Sequence, residues 1–200
     1  MLPLVVLLIA LAVAPAQAAD FKFNTAPEVG YVWFFAYDSR ATAVRINPAL
    51  CYGGTIFQII DFDWSRNMVF ELNYLYSLVQ GSQIDWENTG AANDFEISWH
   101  QAAANVGYQF EGRRLHPYLS GGLGASFLSY VDQAKNEQTE QDFTLNLGGG
   151  VDYTVWETGT PALDRLDLGL RIRYYYISQK AITDVALNAV SMTLRLNLRW

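Results

Sequence analysis

His100 and His116 are the only imidazoles in this chain of 200 residues, so they bound any histidine-based acyl transfer or proton shuttling. His100 stands in Ser98-Trp99-His100-Gln101. In an extended segment Glu96 and Ser98 share its face, which lines up a hydroxyl, an imidazole and a carboxylate, the parts a hydrolase uses as nucleophile, base and orienting acid. Spacing alone does not bring them within hydrogen-bond reach, and a histidine in such a segment more often serves a wall or a lumen. His116 opens a segment beside Pro117 and reads as structural. Cys51 is the single cysteine, so no intrachain disulfide forms and the thiol reads as a small apolar filler. Neither a Cys/His cluster at metal-ligand spacing nor a phosphate loop is visible, since Gly148-Gly149-Gly150 lacks a following lysine. Inside a strand those glycines ease close packing or a bend. No metal and no cofactor are expected. The charges with the clearest pattern are Glu71, Asp152 and Asp167 against Arg171, Arg173 and Arg195.

What positions these residues is a series of period-two segments. Eight are legible, over residues 28–38, 50–63, 67–80, 93–110, 115–131, 141–156, 163–179 and 184–200. In the last, Val190, Met192, Leu194, Leu196, Leu198 and Trp200 share one face, and Ser191, Thr193, Arg195, Asn197 and Arg199 the other. The segment over 163–179 repeats this with Leu166, Leu168, Leu170, Ile172, Tyr174 and Tyr176 opposite Asp167, Gly169, Arg171 and Arg173. Helical periodicity is sustained nowhere, and the longest later apolar run, 29–37, has the length of one tilted transmembrane strand.

The N-terminus reads differently. Residues 2–13 form an unbroken apolar run, followed by Pro15 and Ala16-Gln17-Ala18-Ala19, the pattern of a signal peptide over residues 1–18 with cleavage after Ala18. The run is too short for a membrane helix, and it lacks the positive charge that usually precedes one of these signals. Residues 19–200 then form one exported domain.

Alternation alone fits a soluble sandwich as well as a membrane barrel. Residue type separates them. Charged residues make up 16% of the chain, against about 25% in an average soluble domain, and the polar faces are rich in Gly, Ser, Thr and Asn with few Lys, as a confined interior requires. Trp33, Trp64, Trp99, Trp156 and Trp200 fall near segment ends, where the aromatic girdles of a membrane barrel belong. The fold expected is all-β: an eight-stranded antiparallel up-and-down transmembrane β-barrel. A net charge of −7 without a basic stripe excludes a nucleic-acid partner. Connections alternate between short (64–66, 111–114, 157–162) and longer polar (81–92, 132–140). In outer-membrane barrels the short turns are periplasmic, so both termini are expected in the periplasm, with modest outer loops near 39–49 and 180–183.

Two stretches carry a resemblance. Val106-Gly107-Tyr108-Gln109-Phe110, a charged turn, then His116-Pro117-Tyr118-Leu119-Ser120-Gly121-Gly122-Leu123-Gly124 resembles the hairpin between strands four and five of the small eight-stranded outer-membrane barrels typified by OmpA's transmembrane domain, OmpX and OmpW. The terminal residues 193–200, with Leu194, Leu196, Leu198 and Trp200, are similar to the signal read by the outer-membrane barrel assembly machinery, although that signal most often ends in Phe. The resemblance implies a monomeric outer-membrane protein in contact with lipid and lipopolysaccharide. It also implies a structural or surface-interaction role, since an eight-stranded barrel is just wide enough to be filled by side chains. The six lumen charges then read as a neutralising ion-pair network, or more sharply as a gate whose pairs exchange. The alternative is a narrow channel for small or hydrophobic solutes, as in OmpW-like barrels. A lipid A-modifying enzyme is the third reading. The His-x-Ser order associated with such deacylases is absent, and the protein is expected not to be an enzyme. The acidic set Asp132, Glu137, Glu140 and Asp142 reads as a solvated loop that could bridge cations to lipopolysaccharide phosphates.

Overall fold

The structure is a computed structural model that describes residues 20–37, 43–62, 65–84, 92–131, 137–160, 163–177 and 186–200. The signal-peptide segment 1–18, Trp64, Asp132 and parts of the expected loops lie outside the described residues. Among the described residues the elements are nine strands: β1 (Asp20–Tyr37), β2 (Ala43–Ile46), β3 (Ala49–Phe62), β4 (Ser65–Ile84), β5 (Ala92–Gln109), β6 (Leu115–Val131), β7 (Glu137–Thr160), β8 (Leu163–Ile177) and β9 (Ala186–Arg199).

Eight of them form a closed wall. Each pairs antiparallel with its neighbour in sequence, and β1 pairs with β9 (Tyr31 opposite Met192) as well as with β3 (Tyr31 opposite Leu50). The wall closes on itself, so each of these eight strands has two partners. The short β2 continues the wall beyond β3. It pairs Ala43 with Ile84 and Ile46 with Gly81 at the far end of β4, and Asn47 donates its backbone N–H to the Gln80 carbonyl at 3.0 Å. Pro48, which has no N–H to give a ladder, stands between β2 and β3.

Three strands, β1, β4 and β7, run longer than the sequence pattern suggests. β1 begins at Asp20, eight residues before the expected start, and carries Pro27 opposite Gly54 within its ladder. At the end with the longer connections, here called the loop end, the β4–β5 ladder continues to Ile84 opposite Ala92, and the β6–β7 ladder to Val131 opposite Glu137. The longer connections are correspondingly shorter than expected, and part of the first one, expected as loop, is strand β2. At the opposite, turn end lie the start of β1, the end of β9 and the hairpin from β5 to β6.

The alternation resolves into an inside and an outside. On β9, Ser191, Thr193, Arg195, Asn197 and Arg199 are buried, while Met192, Leu194 and Leu196 are exposed. On β7, Thr144, Asn146 and Asp152 are buried, while Phe143, Leu145 and Leu147 are exposed, the last by 68%. This is the reverse of a water-soluble core, and it places polar groups in the lumen and an apolar band against the surroundings. Two inward glycines make the crowded interior possible. A Cβ at Gly169 would sit 2.1 Å from Asp152 Oδ1 and 2.8 Å from Arg195 Cγ, and one at Gly150 would sit 2.7 Å from the Tyr118 hydroxyl. Both positions leave room for larger neighbours.

Candidate functional site

Among the described residues the lumen is the densest concentration of paired charge, and it changes character along the barrel axis. Its middle is an ion-pair network. Arg171, on β8, donates from Nη1 to Glu28 Oε1 at 2.9 Å and to Thr55 Oγ1 at 3.0 Å, from Nη2 to Glu71 Oε1 at 3.0 Å, and from Nε to the Tyr118 hydroxyl at 2.9 Å. Arg173, two residues on and so on the same face, donates to Glu71 Oε2 at 2.6 Å and to Ser120 Oγ at 2.9 Å. Arg195 on β9 binds Asp152 through Nε at 2.9 Å and also through Nη2, a fork on a carboxylate. Its guanidinium lies 4.2 Å from the centre of the Tyr118 ring. Glu28 accepts further bonds from the Thr55 and Thr193 hydroxyls. Three carboxylates, Glu28, Glu71 and Asp152, thus face the three guanidiniums of Arg171, Arg173 and Arg195, all of them buried. Charge balance with direct hydrogen bonds is what allows ions to sit so deep.

Toward the turn end a second, separate pair forms. Arg165 meets Asp167 at 2.8 Å, and the Thr154 hydroxyl donates to Asp167 at 2.9 Å. His116, buried against this pair, contacts Thr154 Oγ1 at 3.0 Å. Arg199 donates to two amides here, Asn24 Oδ1 at 3.0 Å and Gln109 Oε1 at 3.3 Å. Toward the loop end the lumen becomes apolar. Val32, Phe34, Cys51, Leu75, Val79, Phe95, Ile97, Trp99, Leu128, Tyr175, Ile177, Leu187 and Ala189 form one buried cluster.

The structure places all six expected lumen charges inside the wall. It brings Glu71, Asp152, Arg171, Arg173 and Arg195 into the central network and puts Asp167 with Arg165 instead. Sequence reasoning missed Glu28, Tyr118, Thr55 and Ser120. The phase of β1 carried the signal for Glu28, which is buried in the same alternation as Ala26, Val32 and Phe34. Of the expected girdle residues, Trp33 lies on the outward face with its ring 6.3 Å from that of Tyr31. Trp156 and Trp200 are exposed near the turn end, the latter 6.3 Å from the Phe23 ring. Trp99 is a correction, because it is fully buried in the lumen. It stands edge-on to Phe34 at 5.2 Å and to Tyr175 at 5.4 Å, with its indole N–H donated to Ser126 at 3.1 Å. Its neighbours Ser98 and His100 take the opposite phase and so the outward face. Leu194, Leu196 and Trp200 are exposed at the end of β9, and Leu198 is half-buried in the same row.

The hydroxyl–imidazole–carboxylate set therefore lies on the outer wall. Ser98 Oγ is 3.3 Å from His100 Nε2, and His100 Nδ1 is 2.7 Å from the Tyr74 hydroxyl. A phenol, not Glu96, orients the imidazole. β5 is paired on both sides along this stretch, which commits its backbone N–H groups to ladders and leaves none to form an oxyanion hole.

Comparison with known proteins agrees with this geometry. No curated protein matches the chain. The solved structure of Neisserial surface protein A (NspA) is similar at 18% identity over 92% of this chain and 99% of its own, with a TM-score of 0.55. That of OprG from Pseudomonas aeruginosa is similar at 12% identity over 92% of this chain and 96% of its own, also with a TM-score of 0.55. Likeness at these identities is likeness of fold. Residues 4–199 match the outer membrane protein beta-barrel domain, and with nearly the whole length matched, and a closed barrel of eight strands turned apolar side outward, the chain belongs to that family of outer-membrane proteins.

Proposed function

We propose that this protein is a sealed structural or surface-interaction barrel, which carries nothing through its lumen and acts through what it presents at the loop end. The observation that supports this is the apolar cluster around Trp99, which fills the loop-end lumen above a charge-balanced network. An ion entering there would shed hydration against a lining made largely of Val, Leu and aromatic side chains. On this reading the termini are periplasmic, the monomer sits among outer-membrane lipid and lipopolysaccharide, and the row Leu194, Leu196, Leu198 and Trp200 is what the barrel assembly machinery reads.

The gate reading draws on one distance. Arg195 Nη1 lies 3.8 Å from Glu71 Oε1 while the same guanidinium holds Asp152, so a small movement exchanges its partner. That exchange happens below the apolar cluster and does not open it. Planar-bilayer recording tests both readings, on the wild-type protein and on Arg171→Met. Neither is expected to pass discrete current, and reproducible unitary steps in either would refute the sealed barrel and favour a narrow conduit.

A further inference from the structure

The outer wall is not uniform. Most outward positions carry large side chains, but β5 presents Ala102 and Ala104, which lie opposite Tyr74 and Leu72 of β4 and opposite Ala125 and Leu123 of β6. The result is an open groove of about 370 Å³, floored by these alanines and flanked by Ile56, Leu72, Tyr74 and Leu123. At the roughly 30 Å³ that one water occupies in the liquid, it has room for on the order of a dozen small groups such as methylenes, the bulk of one acyl chain. A family member of this kind shows that face to lipid, so a hydrocarbon chain is its natural neighbour.

The groove has a polar head. Following β5 toward the loop end, the next outward residues are His100, Ser98 and Glu96. At about 3.4 Å per residue they climb in steps of about 7 Å, from the alanine floor into a zone where Tyr52, Tyr74, Tyr76 and His100 gather. The Tyr52 and Tyr76 rings are 5.2 Å apart, and those of Tyr76 and His100 are 4.7 Å apart. Such a belt marks the depth of lipid headgroups. The contacts define a relay of donors. With the Tyr74 O–H donated to His100 Nδ1, the protonated Nε2 donates to Ser98 Oγ, which leaves the Ser98 O–H to give to an outside acceptor. One step farther, Glu96 offers a negative charge, with Asp94 beyond it on the same face.

We propose that the β3–β6 wall binds one diacyl lipid with an amine headgroup, its acyl chain in the groove, an ester carbonyl on Ser98 and its ammonium beside Glu96. The acyl groove, the carbonyl donor and the acidic residue occur in the order in which such a lipid presents chain, ester and cation. An anionic headgroup meets Glu96 as a like charge. This binding does not depend on whether the lumen conducts.

The test uses the full mature protein, purified from membranes in mild detergent and exchanged into bicelles of dioleoyl phosphatidylethanolamine or dioleoyl phosphatidylglycerol. Native mass spectrometry reads the lipid retained, and heat-dependent gel mobility verifies that each variant is folded. The wild type is expected to keep one phosphatidylethanolamine per chain and to discriminate against phosphatidylglycerol. The double variant Ala102→Leu/Ala104→Leu, which fills the groove, is expected to lose it. Ser98→Ala, which leaves the groove open, is expected to weaken retention by up to about tenfold, the scale of one hydrogen bond. The proposal is overturned by a wild type that keeps no lipid, or by equal retention of phosphatidylglycerol. It is equally overturned if filling the groove separates a dimer without changing the lipid, which would make a second copy of the chain the occupant.

Discussion

Replacing Glu71 by leucine is expected to cost about 3–5 kcal/mol of stability, the usual penalty for removing one partner of a buried ion pair. Glu71 is the carboxylate that two arginines share directly, with Arg171 on Oε1 and Arg173 on Oε2. Losing it leaves the three buried guanidiniums facing Glu28 and Asp152 alone, with Ser120 deprived of its acceptor at 3.3 Å. The large effect comes from the stranded cations rather than from the worth of the pair, so Glu71→Gln, which keeps acceptor geometry for one arginine, is expected to fall between the variant and the wild type. Urea-induced unfolding in lipid vesicles, followed by tryptophan fluorescence, measures both. A Glu71→Leu barrel that unfolds at the wild-type urea concentration would mean that the central network contributes nothing to holding the lumen together.

Trp99→Ala is the second large effect, about 3–5 kcal/mol for an aromatic deleted from a packed interior. The indole is flanked edge-on by Phe34 and Tyr175, and its N–H is satisfied by Ser126, so the deletion removes packing, two ring contacts and a hydrogen bond together. Trp99→Phe restores most of the volume and is expected to forfeit about 1 kcal/mol for the lost N–H donor. The same unfolding measurement decides between this position and a lipid-interface one. A girdle tryptophan is half-solvated by lipid already, and a cost within about 1 kcal/mol of zero would return Trp99 to the outside of the wall.

Much of the barrel was legible from side-chain type alone, and where it was not, a physical reason can be given. β9, β8 and the membrane part of β7 read clearly because one of their faces is polar. Rows such as Ser191, Thr193, Arg195 and Asn197 against Met192, Leu194 and Leu196 leave no ambiguity about phase, and from phase follow Arg171, Arg173, Arg195 and Asp152, to which the alternation of β4 adds Glu71. At the loop end both faces are apolar. Val32-Trp33-Phe34-Phe35 has no polar residue to mark the inside, and Ile97-Ser98-Trp99-His100 puts its polar residues outside, so Trp99 reads from sequence as a girdle residue and Glu28 does not read as part of the network. Beyond the membrane the reverse holds. Gly81-Ser82-Gln83 and Glu137-Gln138-Thr139-Glu140 are polar on both faces and look like loops, yet a hairpin ladder is held by backbone bonds and needs no alternation once both faces meet water. Pro27 hid the start of β1 because proline usually ends a strand; here it stands beside Gly54, where the wall tolerates it. The inter-strand geometry that joins Ser98, His100 and Tyr74 depends on the β4–β5 register, which no single segment encodes.

The inside-out arrangement of the wall is the claim on which the network, the sealed lumen and the lipid groove all rest, and β9 offers the most direct test of it. In a Cys51→Ser background, single cysteines at 191, 192, 193, 194, 196 and 197 would carry nitroxide labels in lipid vesicles, with collision rates to dissolved oxygen read by electron paramagnetic resonance. Labels at Met192, Leu194 and Leu196 are expected to meet oxygen freely, as side chains in hydrocarbon do, while those at Ser191, Thr193 and Asn197 are shielded. Accessibility that is flat along the strand, or high at the serine, threonine and asparagine positions instead, would contradict the account.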